Sequence, residues 1–216
     1  MAYFEIKYFV PLHKVQVLHQ WLDSAYANSD PYGENELDTL YFDTPNSDMY
    51  GCSCDGNYVK IKVRMRSYNK KNYSQLQIKK KVGYQVYKKS FKVFYPVDKE
   101  VPPDFYYDCF VPDDFSFPKP LVPRTRVIYK RSRYRSRSIR ITLDQNIRFS
   151  STQLGLPHIR HEAMLPYAVL ELKSDNIKDC ILEVNQWNLK FVPTSKFFLG
   201  ESMLRGRSDI LAKYIE

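Results

Sequence analysis

Between Val59 and Arg66 the chain alternates strictly: Val59, Ile61, Val63 and Met65 are apolar, and Lys60, Lys62, Arg64 and Arg66 between them are basic. Alternation with a period of two marks a strand with one buried face, because successive side chains leave the backbone on opposite sides. Similar patterning predicts strands over Tyr3 to Val10, Leu37 to Asp43, Val127 to Arg133, Ser138 to Asp144, Ala168 to Lys173 and Leu189 to Val192. Gln75 to Val82 and Gln85 to Phe94 flank Gly83-Tyr84 and read as a hairpin. Thr44-Pro45-Asn46 breaks the chain between two of these runs.

Helical spacing is rarer. Val15, Leu18 and Leu22 recur on one helical face after Pro11, which suits a first turn, and the pattern stops before Asn28-Ser29-Asp30-Pro31. Helical turns are predicted at 176–187 and 201–214. The stretch 96–123 is acidic, aromatic and rich in proline, and is expected to be a surface excursion with short helices rather than sheet. About eight strands, few helices and no repeat of 20 to 50 residues predict one α+β domain spanning 1–216.

Charge changes this picture. From Lys60 to Lys92 there are 12 Lys and Arg and no acid, and from Arg124 to Arg140 there are 8 more, again with no acid. Those two windows hold 20 of the 33 basic residues, so the remainder of the chain is net negative and the positive charge is placed rather than spread. On an open sheet the basic faces would set like charges opposite one another, which is destabilising. A sheet rolled around an anionic ligand removes that difficulty. In such a roll Lys60, Lys62, Arg64 and Arg66 would converge with Lys79, Lys81, Arg131, Arg133 and Arg140. Arginine offers a planar fork for phosphate oxygens and lysine a mobile point charge.

Glu171 lies alone in the apolar run Tyr167 to Leu172, two residues before Lys173. Taken by themselves, the residues favour a salt bridge there, with a hard-metal ligand as the other reading; Asp144 has the same two readings. Cys52, Cys54, Cys109 and Cys180 lack zinc or disulfide spacing and read as reduced thiols, and a metal role is disfavoured for His158 and His161. No apolar run approaches the roughly 18 to 20 residues of a membrane span, and none resembles a signal peptide, so a cytoplasmic location is expected.

Eight short segments occur in a distinctive order: Phe4 to Tyr8, Tyr41 to Asp43, Lys62 to Arg66, Gln77 to Lys79 with Lys88-Lys89 downstream, Tyr129 to Arg131, Arg140 to Asp144, Leu170 to Lys173, and Ser195 to Phe197. Together they resemble the VTC domain, the polyphosphate polymerase branch of the triphosphate tunnel metalloenzymes, over nearly the whole chain. The resemblance implies an eight-stranded antiparallel β-barrel, the triphosphate tunnel, with flanking helices. It also implies that Lys7, Arg64, Arg66, Lys79, Arg131, Arg140 and Lys196 line the tunnel as catalytic cations. Lys62 is a further candidate for binding, as is one of Lys88 and Lys89, which alternation does not separate. By the same resemblance Tyr129 and Ser195 bond to phosphate oxygens and Glu171 holds Mn²⁺ or Mg²⁺.

The implied reaction passes the γ-phosphoryl of ATP to inorganic polyphosphate and releases ADP. Fixed cations and one metal suffice for that chemistry. Two departures bear on it. Tyr3 replaces the first carboxylate of the ExExK strand of hydrolytic relatives, leaving Glu5 and Lys7, and Gln77 stands where many relatives carry Glu. The alternatives are a tunnel-type triphosphatase and a non-catalytic polyphosphate or RNA binder, although nucleic acid is disfavoured for want of an RNP-like motif. The chain carries no SPX domain or membrane helix, which is expected to make it a stand-alone domain. The sequence leaves open whether partner subunits attach through the 96–123 stretch.

Overall fold

The computed structural model describes residues 4–26, 33–69, 71–83, 85–94, 120–136, 139–152, 161–176 and 185–207, with single positions at 178, 209 and 212. Most of the 96–123 stretch, much of 176–187 and 208–214, Cys109, His158 and Cys180 lie outside these residues.

Among the described residues ten strands and three α-helices follow in order: β1 (Phe4–Pro11), α1 (Leu12–Ala25), β2 (Glu34–Asp43), α2 (Asp48–Cys54), β3 (Val59–Tyr68), β4 (Ser74–Val82), β5 (Gln85–Val93), β6 (Val122–Arg135), β7 (Ile139–Ser151), β8 (Glu162–Met164), β9 (Tyr167–Ser174), β10 (Lys190–Phe191) and α3 (Lys196–Leu204). One antiparallel sheet runs β10-β1-β9-β7-β6-β2-β3-β4-β5, with β8 beside β7. The expected eight strands become ten. Three-residue β8 is too short to show alternation, and the run 189–192 contracts to two residues.

Among the described residues no backbone pairing joins β5 to β10, so the expected closed barrel is an open, rolled sheet. The roll is nevertheless deep. Lys79 Nζ on β4 lies 3.3 Å from Glu5 Oε2 on β1, although five strands separate β4 from β1 in the sheet. The accumulated right-handed twist of neighbouring strands produces this curl.

Directly paired residues share a face. The pairs Lys7–Glu171, Thr142–Glu171, Arg131–Asp144, Arg64–Gln77 and Lys79–Lys88 therefore turn inward together. On the outer face Ile6, Tyr8 and Val10 join Ile141, Leu143, Leu170 and Leu172, and the fully buried Leu18 and Leu22 of α1 pack on them. Each such leucine contributes roughly 1.5–3 kcal/mol. Pro11 is the N-cap of α1 rather than a residue of its first turn.

At one end the inner face is apolar, with Phe9, Val127, Phe149 and Val169 in one core with Phe197 of α3. Gly200 of α3 lies so close to this wall that a Cβ there would meet Phe149 Cδ1 at 2.6 Å. The turns expected at 201–214 are helical at 201–204, 209 and 212 among the described residues, but α3 starts earlier, where Ser195 caps it by accepting from the Phe198 N–H at 3.3 Å. Helix α2 was not foreseen, and its cap comes from outside the helix. Buried Asp43 accepts from the N–H groups of Thr44, Met49 and Tyr50 at 2.7, 2.8 and 2.9 Å. Tyr50 stacks on Phe198 and bonds Ser202, which ties α2 to α3. Strand β6 begins at Val122, so the last two residues of the expected surface excursion are sheet.

Candidate functional site

The rolled sheet encloses a cavity of about 650 Å³. Strand β3 lines it with Lys62, Arg64 and Arg66, and Lys79 and Lys88 face inward from β4 and β5. Lys7 and Glu171 enter from neighbouring β1 and β9, and Tyr129 and Arg131 from β6. The start of α3 adds Ser195 and Lys196, so the positive end of a helix also points at the cavity.

One expected residue is elsewhere, and the Lys88–Lys89 pair is resolved. Arg140 pairs with Lys173 and so stands on the inward side of β7, but it is exposed and outside the lining. Lys89 is opposite Ile78 on the outer face, which assigns Lys88 as the inward member of that pair. Glu5, Lys60, Lys81, Arg133 and Lys173, to which the resemblance assigns no phosphate or metal role, also line the cavity. Alternation pointed to three of these, Lys60, Lys81 and Arg133. Arg207, just after α3, also lines it, without any periodic signal.

Three carboxylates sit among these cations. Asp144, with no exposed surface, accepts from Arg131 Nε at 2.5 Å and Nη2 at 2.7 Å, and meets Lys196 Nζ at 2.5 Å. Burial alone would raise its pKa, but Arg131 and Lys196 hold it below the ordinary range. Glu171 Oε1 is 2.6 Å from Lys173 Nζ, so the salt bridge suggested by the residues alone is present. Burial opposes ionisation of Glu171, yet Lys173, Lys7 and Arg131 hold it well below the usual value. Glu5 contacts Lys7 and lies 3.3 Å from both Lys79 and Lys173. Against burial and the neighbouring Glu171, those three lysines depress its pKa strongly.

Among the described residues, no group of three or more His, Cys, Asp or Glu stands together as a metal cage. Glu171 and Glu5 nonetheless both offer carboxylate oxygens beside Lys173 Nζ within the same cavity. This donor set fits a magnesium-like ion, which takes one or two protein carboxylates and completes its shell with water and phosphate oxygens.

Four further lining cations lack such partners. Among the described residues, Lys62, Arg64, Arg66 and Lys88 have no carboxylate within salt-bridge distance. Burial, then Lys79 and Lys7, push Lys62 down to about 7, and burial, then Arg64 and Arg66, push Lys88 down to about 8. Arg64 is held by neutral groups: its Nε donates to Gln77 Oε1 at 3.0 Å and its Nη1 to Tyr41 Oη at 3.1 Å. Lys196 and Arg131 lie 5.0 and 5.4 Å from the centre of the Tyr129 ring. The buried Tyr129 hydroxyl has no hydrogen-bond partner among the described residues. A lining of cations without counter-charge, plus an unused hydroxyl, is built to receive an anion with many oxygens.

The sequence profile of the VTC domain matches residues 2–101 and 114–205. A comparison with curated protein sequences finds no match. Among solved structures, a Hippeastrum adenylyl-cyclase candidate described as having a dominant triphosphatase activity superposes with a TM-score of 0.53 at 16% identity, covering 94% of this chain and 96% of that one. An adenylate-cyclase candidate from Vibrio parahaemolyticus gives 0.53 at 13% identity, covering 92% and 98%. Another from Bacillus halodurans gives 0.52 at 14% identity, covering 90% and 96%. At these identities the likeness is one of fold.

Proposed function

Because this chain belongs to the VTC-domain family, we propose that it is a polyphosphate polymerase, transferring the γ-phosphoryl of ATP to the end of a growing inorganic polyphosphate chain and releasing ADP. The observation that carries this reading is the inward set Lys62, Arg64, Arg66 and Lys88, four cations with no carboxylate among the described residues. A linear polyanion supplies the missing charge along the length of the cavity, where a single carboxylate ligand would not.

In the proposed reaction an oxygen of the terminal chain phosphate attacks the γ-phosphorus of ATP. The new P–O bond lengthens the chain by one unit, and the bond from the γ-phosphorus to the β–γ bridging oxygen breaks, leaving ADP. The attacking phosphate is ionised at neutral pH, so no general base is needed. The protein's task is to hold two polyanionic reactants in line and offset their repulsion. Arg64 and Arg66 on β3, together with Arg131 and Lys196, bind and orient the triphosphate; Lys7 and Lys79 flank the carboxylates. The Tyr129 hydroxyl and the free proton of Ser195 donate to phosphate oxygens. Glu171, with Glu5 beside it, would hold Mn²⁺ or Mg²⁺, which when bound neutralises charge on the transferring phosphoryl group.

A second reading is a triphosphatase of the same tunnel type, favoured by Glu5, a carboxylate kept on β1 facing Glu171. Incubation of the purified protein with ATP and Mn²⁺ or Mg²⁺, with products resolved on a polyphosphate-stained urea gel and orthophosphate assayed in parallel, separates the two. A ladder of chains degraded by an exopolyphosphatase supports the polymerase. Orthophosphate alone moves the activity to hydrolysis, and neither product leaves a binding protein.

A further inference from the structure

We infer that Gln77 is a positioning residue that aims the Arg64 guanidinium at bound phosphate while leaving its charge uncancelled. This rests on the polyanion reading of the cavity given above. Gln77 is 2% exposed and lies on β4 directly opposite Arg64 on β3. Its carbonyl accepts from Arg64 Nε at 3.0 Å, and its amide donates to Gln75 Oε1 at 2.8 Å. Both ends of the amide are therefore committed, and the Arg64 fork is fixed in the plane set by Gln77 and the Tyr41 hydroxyl.

Arg131 provides the contrast within the same cavity. It is gripped by the two oxygens of Asp144, a carboxylate that cancels its charge as it orients it. Arg64 is oriented equally by hydrogen bonds but by neutral oxygens, so its full charge faces the ligand. An ionised Glu at position 77 would convert Arg64 to the Arg131 arrangement. It would also remove the N–H that bonds Gln75. The amide thus raises the positive potential of the β3–β4 wall by one charge, and so selects for ligands rich in phosphate over ligands that bring a metal to a carboxylate-lined site.

The test is tripolyphosphate binding to the full chain, measured by calorimetry without divalent metal across a range of salt. Gln77→Glu is expected to weaken binding at low salt by about tenfold or more, and to lower the slope of log K against log salt by about one, as for one lost cation–phosphate contact. In an Arg64→Ala background the same change should have little further effect. Gln77→Met, neutral but without the acceptor, should weaken binding with the salt slope unchanged. Affinity of Gln77→Glu within about twofold of wild type, an equal loss with and without Arg64, or no loss in Gln77→Met would overturn the positioning role. Wild-type protein that fails to bind tripolyphosphate would instead overturn the polyanion reading itself.

Discussion

Asp144 and Arg131 are joined by two hydrogen bonds, from Nε at 2.5 Å and from Nη2 at 2.7 Å, on adjacent strands β7 and β6. The same carboxylate, wholly buried, meets Lys196 at the start of α3. One acid thus anchors two of the cavity's cations, one on the sheet and one on a helix.

Removing that acid leaves two buried cations without a counter-charge. Asp144→Asn is expected to cost about 3–5 kcal/mol of stability in the free protein, the range for breaking a buried pair. Saturating tripolyphosphate should recover more of the melting temperature in this variant than in wild type, because the ligand supplies the charge that was lost. Thermal melts with and without ligand read both effects; an unchanged melting temperature would remove Asp144 from this role.

Glu171 faces the cavity beside Glu5, and carboxylate oxygens suit a hard cation. Glu171→Gln should abolish turnover of ATP while leaving metal-free tripolyphosphate affinity equal to or tighter than wild type. Wild-type rates in this variant would sink its assignment as the metal ligand.

Lys62 and Lys88, pushed down to about 7 and about 8 from an ordinary 10.5, regain protons when a polyanion arrives. Binding therefore takes up protons above about pH 7, and affinity for tripolyphosphate should fall as pH rises from 7 towards 10. Stability of the free protein runs the other way. Between about 7 and 10.5 the unfolded chain binds more protons at Lys62 than the folded one, so this group's contribution to stability increases with pH in that window. Calorimetry in two buffers of different ionisation enthalpy should give net proton uptake at pH 8, reduced in Lys62→Arg. Zero uptake would show that neither lysine is neutral in the free state.

Arg140 is exposed outside the cavity lining, whereas Arg131 is inside it with only 12% of its side chain accessible. Arg140→Ala is expected to change tripolyphosphate affinity by no more than about threefold, in line with the small worth of exposed charges. Arg131→Ala should cost tenfold or more, on the scale of about 2 kcal/mol for a charged hydrogen bond. Equal effects of the two substitutions on measured Kd would place Arg140 at the phosphates after all.

Gly200 touches Phe149 and Thr125 with no room for a methyl group. Gly200→Ala should destabilise the protein by about 1–3 kcal/mol, the usual cost of overpacking, readable as a lowered urea midpoint. A midpoint at or above wild type would mean that α3 can shift on the sheet.

Much of this was legible because sheets write their faces into sequence. The alternation from Val59 to Arg66 gives the inward residues of β3 one by one, and the absence of acids beside them points to an anionic occupant. The elements that escaped have causes. Helix α2 takes its caps from Asp43 and Thr44, five and four positions ahead, while Ser47 at the N-cap position has a φ of 62° and makes no side-chain cap bond. Helix α3 is buried nearly all round, from Lys196 through Ser202, and so lacks the polar face that gives a helix its period. Strand β7 continues past Asp144 through Asn146, whose φ of 52° and neighbouring register shift interrupt the alternation. The Lys88 and Lys89 ambiguity had a similar origin, since the count across a hairpin turn depends on register that the sequence does not contain.

The contact between Glu5 and Lys79, made across five intervening strands, spans the mouth of the roll with charge instead of backbone hydrogen bonds. Such a clasp answers to the medium. Mobile ions screen it, and a phosphate oxygen arriving at Lys79 competes with Glu5 for the same ammonium group. Under the proposed reading, a polyanion filling the cavity would loosen this stitch in its wall, and emptying it would draw the stitch tight again.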